Sequence, residues 1–343
     1  MNPTQPSVKW TYSTHRIDPA RLECTLGPMP DGPEPGAVVL ARVQTIGKHR
    51  EVEDQMGRRR TLFPGDVIAG ALGYRYATDQ YEGAAVASGP TGHLLGMGGV
   101  CGEVLSKNER MPDPTVIEWI GRLRGADGEP ISLSGFRIRP ERRGHLAIPR
   151  TILSVGASMN AGKTTTAAQT IRTLSNQGFK VGAAKITGTA CRKDLGIMED
   201  AGAVRILDFT DCGWASTSLC SREDLLAIAS DLRAALVADQ PDYLVFEIAD
   251  GVLQRETRLL LEDPGFRGTV DAVTFAGPDS VCCENGVRHL RDLGYNVVAI
   301  GGLVANSRLG REETQAATGI PCLNGEMILN GELRHALELS WAA

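Results

Sequence analysis

The 343-residue chain contains no apolar run approaching the roughly 20 residues a helix needs to span a bilayer, so a helical membrane protein is excluded. Residues Met1 to Asp18 lack the apolar core of a secretory signal, and a cytoplasmic location is the expectation. An excess of positive charge is missing too. Lys and Arg number 36 against 41 Asp and Glu, and the net charge of −5 gives no general attraction for nucleic acid or anionic lipid. Neither partner is expected. None of the eight cysteines forms a C-x-x-C, and no His stands at zinc-finger spacing from a Cys pair. In a reducing compartment such cysteines act as small apolar side chains. Internal repeats, coiled-coil heptads and low-complexity tails are absent as well.

What remains is an ordinary globular composition, 42% hydrophobic and 22% charged, in a chain long enough for two domains. The composition changes near residue 140. Before it, Gly- and Pro-rich turns separate short apolar runs such as Ala37–Val43 and Asp66–Leu72, which predicts a smaller β-rich domain, barrel or sandwich-like, over 1–140. Pro114–Leu123 reads as its one short helix. The basic runs Lys48–Arg50 and Arg58–Arg60 are interleaved with acids, and a hairpin with cross-strand pairs accounts for them. Gly73–Gly83 carries three tyrosines, an Arg and two acids, which either line a small-molecule pocket or form a polar barrel rim. Residues 141–150 read as a linker.

Over 151–343 apolar strands alternate with helical segments, the pattern of an α/β domain with a mostly parallel sheet. Strands are expected at Thr151–Val155, Lys180–Ile186, Val204–Phe209, Tyr243–Ile248, Val270–Phe275 and Asn296–Ile300. Helices are expected at Lys163–Gln177, Arg222–Ala238, Ser280–Leu293 and around Arg311–Thr318.

The strongest signal is Ser154-Val-Gly-Ala-Ser-Met-Asn-Ala-Gly-Lys-Thr-Thr-Thr166. Strict G-x-x-x-x-G-K-[ST] fails by one residue, because five residues separate Gly156 from Gly162; the relaxed form with Ala first fits Ala157 to Thr164. An apolar strand precedes the loop and a helix opens at the Lys, the context in which a phosphate-binding P-loop works. Such a turn aims backbone N–H groups and the positive end of a helix at phosphate oxygens. Gly156, Ala157, Ser158, Asn160, Ala161, Gly162, Lys163, Thr164 and Thr165 are the expected nucleotide contacts. Lys163 would reach the β- and γ-phosphates, and the Thr164 hydroxyl would face Mg²⁺. Guanine specificity has no support, since no N-K-x-D occurs, and ATP is the expected nucleotide.

The loop, together with Lys185-Ile-Thr-Gly-Thr189, Tyr243-Leu-Val-Phe-Glu-Ile-Ala-Asp-Gly251, Ile300-Gly-Gly-Leu-Val-Ala-Asn306 and Thr318-Gly-Ile-Pro-Cys-Leu323, resembles the dethiobiotin synthetase-like branch of P-loop ATPases and ligases. The resemblance covers residues 150 to 325. It implies that Lys185 holds a substrate anion or the transferring phosphoryl group, that Asp194 serves the metal, and that Asn306 contacts the base. It is also compatible with a homodimer. Asn160 stands where dethiobiotin synthetase has an acidic residue, and Glu-Ile-Ala-Asp-Gly-Val-Leu-Gln-Arg-Glu-Thr replaces its glycine-rich turn, so the likeness is one of fold and nucleotide site rather than of substrate.

Independently of that likeness, Lys185 ends a strand at the carboxyl edge, where open α/β sheets bind ligands. Glu247 and Asp250 end or follow an apolar strand and offer the hard oxygens that Mg²⁺ takes. Thr187 and Thr189 add hydroxyls beside Lys185, and Arg255 is a candidate for an anionic substrate. Lys163, Lys185 and Glu247 form the expected catalytic set; Thr164, Glu247, Asp250 and Asp194 the metal set; Lys185, Thr187, Thr189 and Arg255 the substrate set. These point to an ATP- and Mg²⁺-dependent kinase, or a carboxylate- or carbamate-activating ligase, acting on a small anionic metabolite. The alternative is a nucleotide-switched accessory ATPase for cofactor or metal delivery, of the molybdopterin-guanine dinucleotide accessory protein type.

Overall fold

The computed structural model describes residues 8–140 and 148–342. Most of the expected linker, 141–147, lies outside the described residues. The chain divides into two compact units. The first comprises Met1–Ile138 with two later segments, Thr189–Lys193 and Phe209–Leu219; the second comprises the remainder from Arg139.

In the first unit the strands are β1 (Lys9–Trp10), β2 (Cys24–Gly27), β3 (Val38–Thr45), β4 (Glu51–Glu53), β5 (Arg59–Thr61), β6 (Val67–Leu72), β7 (Tyr81–Ala84), β8 (Thr91–Leu94), β9 (Val100–Lys107) and β10 (Thr115–Gly125). Five of them close a ring in the order β6-β3-β10-β8-β9, with β9 returning to β6 in parallel at Ala71↔Val100 and Leu72↔Cys101. The β-rich unit is therefore a small closed barrel, and closure removes the unpaired edges those five strands would otherwise present. Its interior is filled by alternate residues: Val39, Ala41 and Val43 from β3, Ile68 and Leu72 from β6, Leu94, Cys101 and Ile117.

The segment Pro114–Leu123 is not a helix. From Thr115 on it belongs to β10, paired antiparallel to both β3 and β8. Val116, Ile117, Trp119 and Ile120 are β-branched or aromatic, the types that fit a pleated surface and lose rotamer freedom in a helix. The basic hairpin is present as β4–β5, with Glu51 opposite Thr61 and Glu53 opposite Arg59, and an Arg60–Asp54 ion pair at 3.6 Å. In the tyrosine-rich segment, Tyr81 is fully buried and its hydroxyl donates to the Pro112 carbonyl at 2.6 Å. Tyr76 is exposed, and Arg75 Nη2 donates to Gln80 Oε1 at 3.0 Å.

The two later segments of the first unit pair with each other. Ala190 N donates to Ala215 O at 2.9 Å, and Thr189 forms an antiparallel bridge with Ser216. Glu53, buried at the end of β4, accepts from Arg192 N at 2.6 Å. Asp211 accepts from Arg16 Nη1 at 3.2 Å.

A buried histidine gives the barrel a pH dependence. His49 Nδ1 donates to the Leu94 carbonyl at 3.0 Å, and burial, assisted by the Arg75 charge, lowers its pKa from 6.5 to about 4. The unfolded chain therefore takes a proton that the barrel refuses. This histidine should therefore lower stability as pH drops from about 6.5 to about 4, by about 3 kcal/mol in all, and contribute no pH dependence above that window. Hydrogen exchange of β3 and β10 amides across that range should show the loss in the wild type and a flatter profile in His49→Gln. An equal slope in both would place the dependence elsewhere.

The second unit is a six-stranded, wholly parallel sheet: β11 (Arg150–Gly156), β12 (Val181–Lys185), β13 (Arg205–Asp208), β14 (Tyr243–Glu247), β15 (Ala272–Ala276) and β16 (Val297–Gly301), ordered β13-β12-β14-β11-β15-β16. Its helices are α1 (Lys163–Asn176), α2 (Arg192–Asp200), α3 (Arg222–Val237), α4 (Arg255–Leu261), α5 (Pro264–Arg267), α6 (Ser280–Asp292), α7 (Arg308–Thr318), α8 (Gly325–Leu329) and α9 (Glu332–Ala342). Parallel strands buried on both faces read as continuous apolar runs, which is why these strands were visible in sequence. On one face Ile152, Val245, Ala183 and Ala272 pack against Ala167 and Ile171 of α1 and Leu333 and Leu337 of α9. On the other, Phe275 packs so closely on Gly286 of α6 that no Cβ fits there.

Local signals set the helix ends. Ser221 Oγ accepts from Asp224 N at 3.1 Å while Asp224 accepts from Ser221 N, a reciprocal cap that starts α3. Gly178 follows α1 at φ +86, a left-handed stop that glycine adopts without strain.

Candidate nucleotide site

The order of the sheet puts β11 between β14 and β15, and at its carboxyl end the chain turns into the loop that leads to α1. Two residues of this loop have positive φ, Asn160 at +59 and Gly162 at +105. An L side chain is strained at +105, so Gly162 is the residue that lets the chain enter α1 immediately at Lys163. The first-turn amides of α1 have no intrahelical carbonyl partner, and the helix dipole adds positive potential there. Ser158 and Thr165 are exposed beside them.

The loop is braced from below. Ala157 N donates to Ala276 O at 2.9 Å, Val252 N to Gly156 O at 3.0 Å, and Leu303 N to Ala161 O at 3.2 Å. Gly251 passes so near the Ala157 carbonyl that a Cβ would collide with it. Ser154 Oγ donates to Lys163 O at 3.0 Å. These bonds and contacts fix the path of the loop between β11 and α1.

Lys163 is buried, and its ammonium folds back to donate to the Ser158 carbonyl at 2.6 Å. Burial lowers its pKa, opposed by the charges of Glu247 and Asp250. Thr164 Oγ1 donates to Glu247 Oε1 at 3.0 Å. Glu247 ends β14, in register with Ser154 of β11 on one side and Lys185 of β12 on the other. Its carboxylate is almost wholly buried, which raises its pKa, with the Lys185 charge acting in the opposite sense. Glu247 Oε2 has no hydrogen-bond partner among the described residues.

Lys185 lies between two carboxylates: its ammonium pairs with Asp194 Oδ2 and stands 3.6 Å from Glu247 Oε1. Asp194 is in the first turn of α2. Thr164, Glu247, Lys185 and Asp194 thus form one chain of charged and hydroxyl groups along the carboxyl edge, and the charges of Glu247 and of Asp250, at φ +60, act on the nearby Lys163.

The other candidates lie elsewhere or have structural partners. Thr187 is buried and accepts from Ala249 N at 2.9 Å, fixing the turn after β14. Thr189 belongs to the first unit. Arg255, half exposed at the start of α4, donates to Cys220 O at 2.9 Å and to Glu256 at 2.7 Å. Asn306 is exposed at the end of the short turn Leu303–Asn306, which begins where Leu303 N bonds the loop. Sequence reasoning did not anticipate the Lys185–Asp194 pair or the Gly251 contact. The glycine after the Glu-Ile-Ala-Asp run was the available signal for the second.

Metal chemistry fits part of this set. A buried carboxylate oxygen without a partner, beside a threonine hydroxyl, is a pair of hard oxygens suited to Mg²⁺, which keeps most of its shell for water and phosphate. Among the described residues no group of three His, Cys, Asp or Glu side chains forms a metal cage. None of the described helices is long and apolar enough to cross a membrane.

No family model and no curated protein matches the sequence. Solved structures similar to it include the 54 kDa signal recognition particle protein of Aeropyrum pernix in complex with GDP, at 20% identity and a TM-score of 0.40 over 61% of this chain and 53% of that one. The present chain therefore spans about half the length of that protein. The signal recognition particle receptor of Elizabethkingia anophelis with GDP overlaps at 17% identity and a TM-score of 0.39, over 60% of this chain and 68% of that one. A nucleotide-binding protein of Archaeoglobus fulgidus with ADP overlaps at 15% identity and a TM-score of 0.36, over 56% of this chain and 86% of that one. At these scores no residue role passes between the proteins. The parallel sheet and the strand–loop–helix at Gly156–Thr164 make the second unit a P-loop NTPase fold.

Proposed function

We propose that the chain is an ATP- and Mg²⁺-dependent cytoplasmic enzyme that transfers or uses the γ-phosphate on a small anionic metabolite, as a kinase or as a carboxylate- or carbamate-activating ligase of the dethiobiotin synthetase-like branch. The observation that carries this reading is the continuity of the polar chain. The phosphate cradle, through Thr164 and Glu247, leads directly to a second ammonium, Lys185, at the same sheet edge. A nucleotide switch needs the cradle and the metal oxygens; a second, largely covered lysine in line with them serves a charge that develops on, or arrives beside, the transferring group.

In this reading Thr164 and Glu247, with Asp250 nearby, hold Mg²⁺, which when bound neutralises phosphate charge. Lys163 binds the β- and γ-phosphates after leaving the Ser158 carbonyl. Lys185 holds the acceptor's anion or the transferring group. Adenine is favoured over guanine because the chain has no N-K-x-D.

Incubation with Mg²⁺, ATP and a pool of cellular small metabolites, read by mass spectrometry, should yield a product shifted by a phosphate or by a condensed partner. Hydrolysis with no new product would overturn the metabolite reading in favour of the accessory ATPase.

A further inference from the structure

The family likeness assigns Asp194 to the metal, but the geometry gives its Oδ2 to the Lys185 ammonium. We propose that Asp194 is a positioning residue, which aims the Lys185 ammonium at the group being transferred, and not a ligand of the metal. The inference rests on the phosphoryl-transfer reading above.

A lysine side chain is long and rich in rotamers, and its ammonium is a point charge with no directional fork of its own. Held only by Glu247 at 3.6 Å, it would sweep a cone over the cradle. A second carboxylate on another element fixes the direction. Asp194 supplies it from the first turn of α2, where the helix dipole stabilises a negative charge. The side chains of Lys185 and Asp194 are only 12% and 25% exposed, so solvent weakens the pair far less than a surface bridge.

The metal oxygens have a separate source: Glu247 Oε2 is buried with no partner among the described residues, and Glu247 Oε1 holds the Thr164 hydroxyl. A divalent cation on Asp194 would have to share its carboxylate with an ammonium already in contact with it, at a cost in like-charge repulsion.

The test is steady-state ATP consumption with Mg²⁺ and the metabolite pool, for the wild type, Asp194→Asn, Asp194→Glu, Lys185→Ala and the Lys185→Ala/Asp194→Asn double variant, with a thermal melt to verify folding. Asp194→Asn keeps the shape and loses the charge. It should lower kcat by roughly 10- to 100-fold, the effect of a small misplacement of a reacting group, with KM for ATP held within about twofold. Asp194→Glu should recover part of the loss. The double variant should be no slower than Lys185→Ala alone, because both changes remove one device. The Mg²⁺ concentration for half-maximal rate should stay at the wild-type value in Asp194→Asn. Additive losses in the double variant, or a raised Mg²⁺ requirement, would overturn the inference while leaving the enzyme reading intact. A wild type that consumes no ATP would overturn both.

Discussion

Replacing Lys163 by alanine should lower ATP turnover by at least about 1,000-fold while leaving the fold in place, because the charge that stabilises a transferring phosphoryl group in a dry site is a large part of the barrier reduction. The folding half of the expectation follows from the environment of the side chain. Lys163 is buried and burial disfavours its charged form, so the ammonium is held in the fold at some cost. Its removal forfeits the bond to the Ser158 carbonyl and some packing of the stem. The braces of the loop, Ala157 to Ala276, Val252 to Gly156 and Leu303 to Ala161, do not involve the side chain and should survive.

Nucleotide binding gives a second readout. A ligand at 100 times its Kd adds about 2.7 kcal/mol to native stability, which raises the melting temperature of the wild type by several degrees. In Lys163→Ala that increment should shrink or vanish. Lys163→Arg should fail as well, since a planar guanidinium cannot take the place of a compact ammonium in a buried slot. Turnover in Lys163→Ala equal to that of the wild type would remove the phosphate cradle from the account of function altogether.

The elements that sequence made visible are those whose signals are local. β11, β12 and β14 are continuous apolar runs, and their observed ends fall within a residue or two of the expected ones. The start of α3 is written in Ser221 and Asp224, and the end of α1 in Gly178. α2 is obscured by Gly196 at its middle and by its short length, and α9 by Trp341 and His335, residues that are only moderate helix formers. β10 was misread because ten residues of mixed apolar and charged character satisfy either period in part, and pairing with β3 on one side and β8 on the other decided between them. Closure of the barrel through β6 and β9, and the assignment of Thr189–Lys193 and Phe209–Leu219 to the first unit, depend on contacts between distant parts of the chain.

The candidate site divides in the same way. The loop from Gly156 to Thr164 is a local pattern with a local geometry, and its residues could be named from order alone. Glu247 and Lys185 are 62 residues apart and adjacent only because β14 and β12 are neighbours in the sheet. Each could be placed at the carboxyl edge separately, as the end of an apolar strand. Their proximity to each other, and that of Asp194 to Lys185, is a property of strand order and of where α2 begins, neither of which a single sequence states.

The Glu247→Gln variant should be more stable than the wild type in the absence of ligand and nearly inactive in its presence. Burial is the dominant influence on this carboxylate and raises its pKa, and one of its oxygens is buried with no partner. An acidic group with a raised folded pKa favours the fold at low pH and progressively loses that contribution as pH climbs through the folded value. A neutral amide of the same shape avoids the penalty, keeps an oxygen for the Thr164 hydroxyl, and should melt higher at neutral pH with a flatter dependence on pH. Glu247→Ala lacks that compensation and should melt lower, since it leaves a void and strips Thr164 and Lys185 of a partner. Turnover tells the other half: loss of a preorganised charge at the metal and phosphate should reduce it by about 100-fold or more in Glu247→Gln. A buried charge that destabilises the empty protein is a familiar signature of a group retained for chemistry. If Glu247→Gln instead melts several degrees below the wild type, the carboxylate is present chiefly as the partner of Lys185, and the metal role assigned to it fails.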